Sequence, residues 1–175
     1  GSNAREIIRY FDGNEAINVC GVVSSKENAT MALFCEEQQV PFVNLVGQDF
    51  SAYLNFCLKQ NAQWVILAGF LKKIPFALLE AYPDRIINIH PSLLPNYGGA
   101  GMYGKKVHEA VAAAKESFSG ISIHLVNEEF DKGKMLFQHA VNLPENANPE
   151  QVESSVRALE LTHFAQDLEI YLSSN

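Results

Sequence analysis

The sequence predicts an α/β domain: a mostly parallel sheet with helices on both faces and an antiparallel strand pair at its C-terminal side. Two observations carry this. Short runs rich in β-branched residues alternate with stretches of about a dozen residues whose apolar positions recur at helical spacing, the pattern of βαβ units. Late in the chain, residues 120–127 and 135–143 read as strands joined only by E-E-F-D-K-G-K, which is too short for a crossover helix, so the second must run back along the first.

Taken in order, A-R-E-I-I-R-Y-F sets Ile7, Ile8 and Phe11 on one helical face, and Asp12-Gly13-Asn14 ends the helix. I-N-V-C-G-V-V-S reads as a buried strand, residues 27–39 as a helix, and P-F-V-N-L-V as another strand. Residues 49–61 place Phe50, Tyr53, Leu54, Cys57 and Leu58 at helical spacing. W-V-I-L-A-G is a strand-sized apolar run, and 75–82 is a short helix with Pro75 at its first position. R-I-I-N-I-H is a strand rich in isoleucine, stopped by Pro91. A helix over 105–115 follows, then the antiparallel pair, then an amphipathic helix from Pro149 to about residue 172.

A chain of 175 residues, 47% hydrophobic and 19% charged, fits one domain with a real core. No apolar run approaches the ~20 residues of a membrane helix, so no membrane partner is expected. A net charge of −7 without Lys/Arg clusters argues against a nucleic-acid surface. It leaves room for one small anion held by backbone N–H groups at a helix start. Cys20, Cys35 and Cys57 are far apart and form no C-x-x-C, which reads as reduced thiols in a cytoplasmic protein, with no metal site.

Four features fall at the carboxyl ends of the predicted strands, where parallel sheets bind ligands. Asn88 and His90, two positions apart on one strand, share a face. The loop G-G-A-G-M-Y-G (98–104) reads as a mobile connection, Asp131 sits in the turn F-D-K-G-K, and A-G-F-L-K-K-I-P ends a strand with an exposed aromatic, Phe70, beside Lys72 and Lys73. Singly, each has a plain reading: a satisfied core histidine, a surface loop, a turn aspartate and solvated lysines.

Their spelling adds a likeness. N-I-H-P-S-L-L-P, preceded by V-I-L-A-G-F and followed by S-I-H-L-V-N-E-E-F-D-K-G, resembles the folate-dependent formyltransferase family, in the same order along nearly the whole chain. Within it, the similarity is to the enzymes that pass the formyl group of 10-formyltetrahydrofolate to the amine of glycinamide ribonucleotide in purine biosynthesis. The resemblance implies a Rossmann-like formyltransferase fold over residues 1–175, with Asn88, His90 and Asp131 catalytic and His124 in support. It assigns folate binding to Phe70, Leu71, Lys72, Lys73 and Ile74, with Leu125, Val126 and Asn127 on the facing wall. Gly1, Ser2 and Asn3 match a phosphate-binding turn at a helix start, and Glu160 matches a glutamate that contacts the nucleotide. Its partners would be these two small molecules, with no nucleic acid and no metal, in a monomer or homodimer. The family fold carries a strand ahead of the G-S-N turn that the sequence as given lacks, and loop 98–107 is longer than in many relatives.

Formyl transfer passes through a tetrahedral carbon bearing an oxyanion, which Asn88 can meet with an amide N–H and His90 with an imidazolium. Asp131 beside His90 is expected to keep that ring charged, above its ordinary value. Three other readings share the family: a formyltetrahydrofolate deformylase that gives the formyl group to water, a tRNA formyltransferase, which length and charge disfavour, and a folate- or nucleotide-binding relative without activity.

Overall fold

The computed structural model describes residues 1–175 and contains six helices and six strands. In chain order they are α1 (Ser2–Tyr10), β1 (Val22–Ser24), α2 (Ala29–Glu37), β2 (Phe42–Asn44), α3 (Phe50–Lys59) and β3 (Val65–Leu67). There follow α4 (Phe76–Ala81), β4 (Ile86–His90), α5 (Lys105–Ala113), β5 (Phe118–Leu125), β6 (Met135–Asn142) and α6 (Pro149–Leu172). Local chemistry sets several boundaries. Asn28 and Asp49 cap α2 and α3 through their side chains. At α6, Asn148 and Gln151 form a capping box around Pro149 at the first helical position. Pro75, expected inside α4, instead caps it in an extended conformation.

The strands form two groups. β1 and β2 pair in parallel, while β3, β4, β5 and β6 lie in that order, with β3 and β4 parallel and β5 and β6 antiparallel to their neighbours. The main core lies where α1, α5 and α6 cover β4 and β5, and joins Ile7, Ile87, Val107, Ile121, Val156 and Phe164. The other face is closed by α4, through Ile74, Leu78, Tyr82 and Ile86. Each apolar side chain fully buried in these layers contributes roughly 1.5–3 kcal/mol.

β1 and β3 do not pair. An apolar slot of about 760 Å³ lies between them, lined by Ile7, Ile8, Val19, Val23, Phe56 and Ile66 among others. Val22 N–H donates to the Pro41 carbonyl and the Ser24 carbonyl accepts from Leu45 N–H, so Val22 and Ser24 face β2, and Val23 turns its backbone groups toward the slot. Val65 N–H donates to the Arg85 carbonyl, which leaves Ile66 facing the slot from the other side. β1 is shorter than the expected 17–24 and covers only the residues that pair with β2.

Candidate active site

The carboxyl ends of β3 and β4 open into a cleft of about 330 Å³. β4 supplies Asn88 and His90, and the register puts Asn88 opposite His124 and His90 opposite Ser122 on β5. His124 Nδ1 lies 2.8 Å from the Leu125 carbonyl, which can only accept, so that nitrogen carries the proton. His124 Nε2 is then the acceptor for an Asn88 amide N–H at 3.2 Å. This contact sets the direction of the Asn88 amide and leaves its second N–H free.

His90 Nε2 donates to the Tyr97 carbonyl at 2.8 Å, and Nδ1 faces Asp131 Oδ1 at 3.5 Å. His124 Nε2 is 3.6 Å from the same carboxylate oxygen. Asp131 Oδ2 accepts the Gly99 N–H at 2.9 Å, so the loop expected to be a mobile connection is anchored to the carboxylate. Asp131 itself sits at φ 56°, the left-handed region where non-glycine residues are uncommon. A Cβ on Gly133 would stand 1.7 Å from the Leu125 carbonyl oxygen, so only glycine lets this turn fold back against the end of β5 and return Asp131 to the cleft.

The electrostatics correct one expectation. Burial lowers the pKa of His90, outweighing the opposing pull of Asp131 and the Tyr97 carbonyl, and His124 lowers it further. The ring is held below its ordinary value rather than above it. Burial pushes Asp131 up, but His124, His90 and the Gly99 N–H together hold its carboxyl below the usual range. At neutral pH the pair is a carboxylate beside a neutral imidazole.

The turn after His90 is latched by residues with no motif to betray them. Ser122 Oγ donates to the Ser92 carbonyl at 2.7 Å and accepts the Leu94 N–H at 2.9 Å. Gln138 Nε2 donates to Ser122 Oγ and to the Leu94 carbonyl, each at 2.9 Å. The available signal was the pattern I-S-I-H, in which polar Ser122 and His124 alternate with isoleucines on a strand buried from Ser119 onward.

On one side of Asn88, the wall consists of Phe70, Leu71, Lys72, Lys73, Ile74, Val126 and Asn127. Phe70 is half-buried rather than exposed, its ring centroid 6.2 Å from Phe50 and 6.0 Å from Tyr53. Leu125 does not line the cleft: its side chain packs in the main core, on the opposite face of β5 from His124.

On the other side, Gly1 caps α1, and Ser2 and Asn3 begin it. Asn3 Nδ2 donates to Glu160 Oε2 at 3.1 Å, joining the two parts of the expected nucleotide site. Burial raises the Glu160 pKa, with Asn3 opposing. His108, Glu153 and Arg157 line this end as well, and none was foreseen. Glu153, Arg157 and Glu160 stand at i, i+4 and i+7 on α6, one helical face, a spacing that would have revealed two of them.

A family model described as formyl transferase matches residues 1–168. The phosphoribosylglycinamide formyltransferase of Bacillus subtilis (strain 168) is 38% identical over 172 residues, which cover 91% of this chain and 84% of that protein. The chloroplastic phosphoribosylglycinamide formyltransferase of Arabidopsis thaliana is 38% identical over 165 residues, covering 89% of this chain but 56% of the relative, so the chain spans little more than half of that protein's length. Among solved structures, the phosphoribosylglycinamide formyltransferase from Bacillus halodurans superposes with a TM-score of 0.85 at 26% identity, over 99% of this chain and 91% of that one.

Proposed function

This chain belongs to the formyl transferase family, and we propose that it transfers the formyl group of 10-formyltetrahydrofolate to the amine of glycinamide ribonucleotide in purine biosynthesis. The observation that carries the reading is the convergence of Asn88, His90, Asp131 and His124 at the midpoint of one cleft. An apolar wall with exposed lysines lies on one side of that cluster and a polar chamber on the other.

The amine nitrogen attacks the formyl carbon, and negative charge gathers on the formyl oxygen. The free N–H of Asn88, aimed by His124, is the donor placed to meet it. The attacking nitrogen sheds one proton as its bond to carbon forms. His90 Nδ1 is unprotonated while Nε2–H is committed to Tyr97, so the proton lodges between Nδ1 and Asp131, whose charge stabilises the imidazolium produced. Collapse of the tetrahedral carbon breaks its bond to the folate nitrogen, which takes that proton back. A neutral starting ring suits this role better than a permanent imidazolium, which would have no site for the proton.

Residues Phe70 to Ile74, with Val126 and Asn127, suit the pterin, and Lys72 and Lys73 the glutamate tail. The N–H groups of the first turn of α1 suit the nucleotide phosphate, and Glu160 its polar body. The free thiols of Cys20, Cys35 and Cys57 accord with a reducing compartment, and the cytoplasm is the proposed location. The test is to follow tetrahydrofolate and formylated nucleotide with and without glycinamide ribonucleotide. Amine-dependent formation of both is expected; formate release without the amine overturns the reading in favour of a hydrolase.

A further inference from the structure

His108 is 6% exposed, and its Nδ1 is buried without any hydrogen-bond partner. A buried imidazole nitrogen left in this state is costly, and native proteins rarely leave one so. Asn3 Oδ1 is in the same state. Both residues line the end of the cleft bounded by α1, α5 and α6, and each keeps an unpaired polar atom closed to water at that wall. The histidine could have been plain core, since Val107 and Val111 beside it on α5 are fully packed. The hydroxyls of Tyr82 and Ser119 are buried and unpaired too, but His108, unlike them, lines the cleft.

The surroundings define what can pair with it. The charged group that acts on His108 most strongly is Glu153, and Glu160 lines the same chamber, against a single Arg157. Two carboxylates disfavour a phosphate at this wall, and burial keeps the ring neutral, with one donor and one acceptor. A hydroxyl, which also donates and accepts, matches that ring; an anion does not.

Resting on the proposed function, we propose that His108 is a specificity-determining residue that hydrogen-bonds a ribose hydroxyl of the amine substrate where α5 meets α6. His108→Leu keeps the bulk and removes both hydrogen-bonding groups, whereas His108→Gln retains a donor and an acceptor. The Leu variant is expected to raise KM for glycinamide ribonucleotide about tenfold, with kcat and the KM for 10-formyltetrahydrofolate within about twofold of wild type, and the Gln variant to recover most of the loss. Nucleotide analogues lacking one ribose hydroxyl should lose a similar factor against the wild type and nothing further against His108→Leu.

A Leu variant with unchanged KM for the nucleotide, or with both KM values raised alike, overturns the assignment. So does a deoxy analogue that loses as much on the variant as on the wild type. Where His108→Leu melts before assay temperature, the analogues on wild type decide: equal KM for ribose and deoxyribose forms overturns it. A wild-type chain with no amine-dependent transfer overturns the formyltransferase reading itself, whereas normal turnover with an indifferent His108 overturns this inference alone.

Discussion

At the midpoint of the cleft, the side chains that would do chemistry are already paired. Asp131 meets two imidazoles and a backbone N–H, His90 holds the Tyr97 carbonyl, and His124 holds both Asn88 and the Leu125 carbonyl. At the α1–α5–α6 end, Asn3 Oδ1 and His108 Nδ1 are buried and unpaired. The contrast separates two tasks. Groups that must meet a fleeting charge are fixed in advance, because reorganisation at that moment would raise the barrier. Groups that recognise a stable polar ligand are completed by it, so their cost is recovered on binding and a wrong ligand that leaves them bare is rejected.

The contrast can be broken from its fixed side first. Asp131→Ala removes the group on which the cluster converges, and kcat is expected to fall by about a thousandfold or more, with both KM values little changed. A loss confined to KM would move Asp131 to the recognition side.

Titration gives the next effect. His90 must be neutral to receive the proton, and its value lies below the ordinary histidine value of 6.5, so kcat/KM should fall on the acid side with an apparent pKa under 6.5, by about tenfold per pH unit below it. Asp131→Asn should carry the limb of the residual activity lower still, because the lost negative charge disfavours the imidazolium. A limb that stays in place would show that His90 does not govern it. Stability has the same sign. Below pH 6.5 the unfolded chain takes up a His90 proton that the folded one resists, and the stabilisation from the depressed Asp131 is lost as pH falls through its unfolded value of 3.8 toward its lower folded value.

On the ligand-completed side, Glu160→Ala should raise KM for glycinamide ribonucleotide about tenfold and leave that for the folate alone. Equal changes in both would make this glutamate a structural partner of Asn3. The smallest change in rate is expected from Ser122→Ala, which strips the latch behind His90. It should lower stability by about 1–3 kcal/mol, read as a drop in Tm, while kcat changes by less than about fivefold.

The sequence already revealed the order of elements and the start of α6 at Pro149, because periodicity, capping chemistry and turn residues are local. Asn88 and His90 were legible for the same reason, through strand alternation. Alternation would also have set Leu125 opposite His124, yet the family likeness placed it in the folate pocket, and the structure buries it in the core. The sign of the His90 shift was hidden because it is a contest between desolvation and a carboxylate 41 residues away, and only packing decides which is larger. The true lengths of β1 and β3 were hidden likewise, since a strand ends where its neighbour does. His108 looked like any polar residue on a helix until its unpaired nitrogen was seen.

The slot between β1 and β3 separates the two groups of strands. The amides of Val23 and Ile66 point into it, whereas those of β4 and β5 sit in ladders on both sides. Hydrogen exchange should be slowest through β4 and β5, so the β3–β6 sheet and the β1–β2 pair form units that open at different free energies. α1 joins the units, for Ile7 packs into the main core and Ile8 into the smaller cluster with Met31, Phe34 and Cys35. The helix that begins with the proposed phosphate turn is thus also the bridge across which opening of the N-terminal unit would reach the cleft, and protection gained in α1 on adding nucleotide would report that coupling.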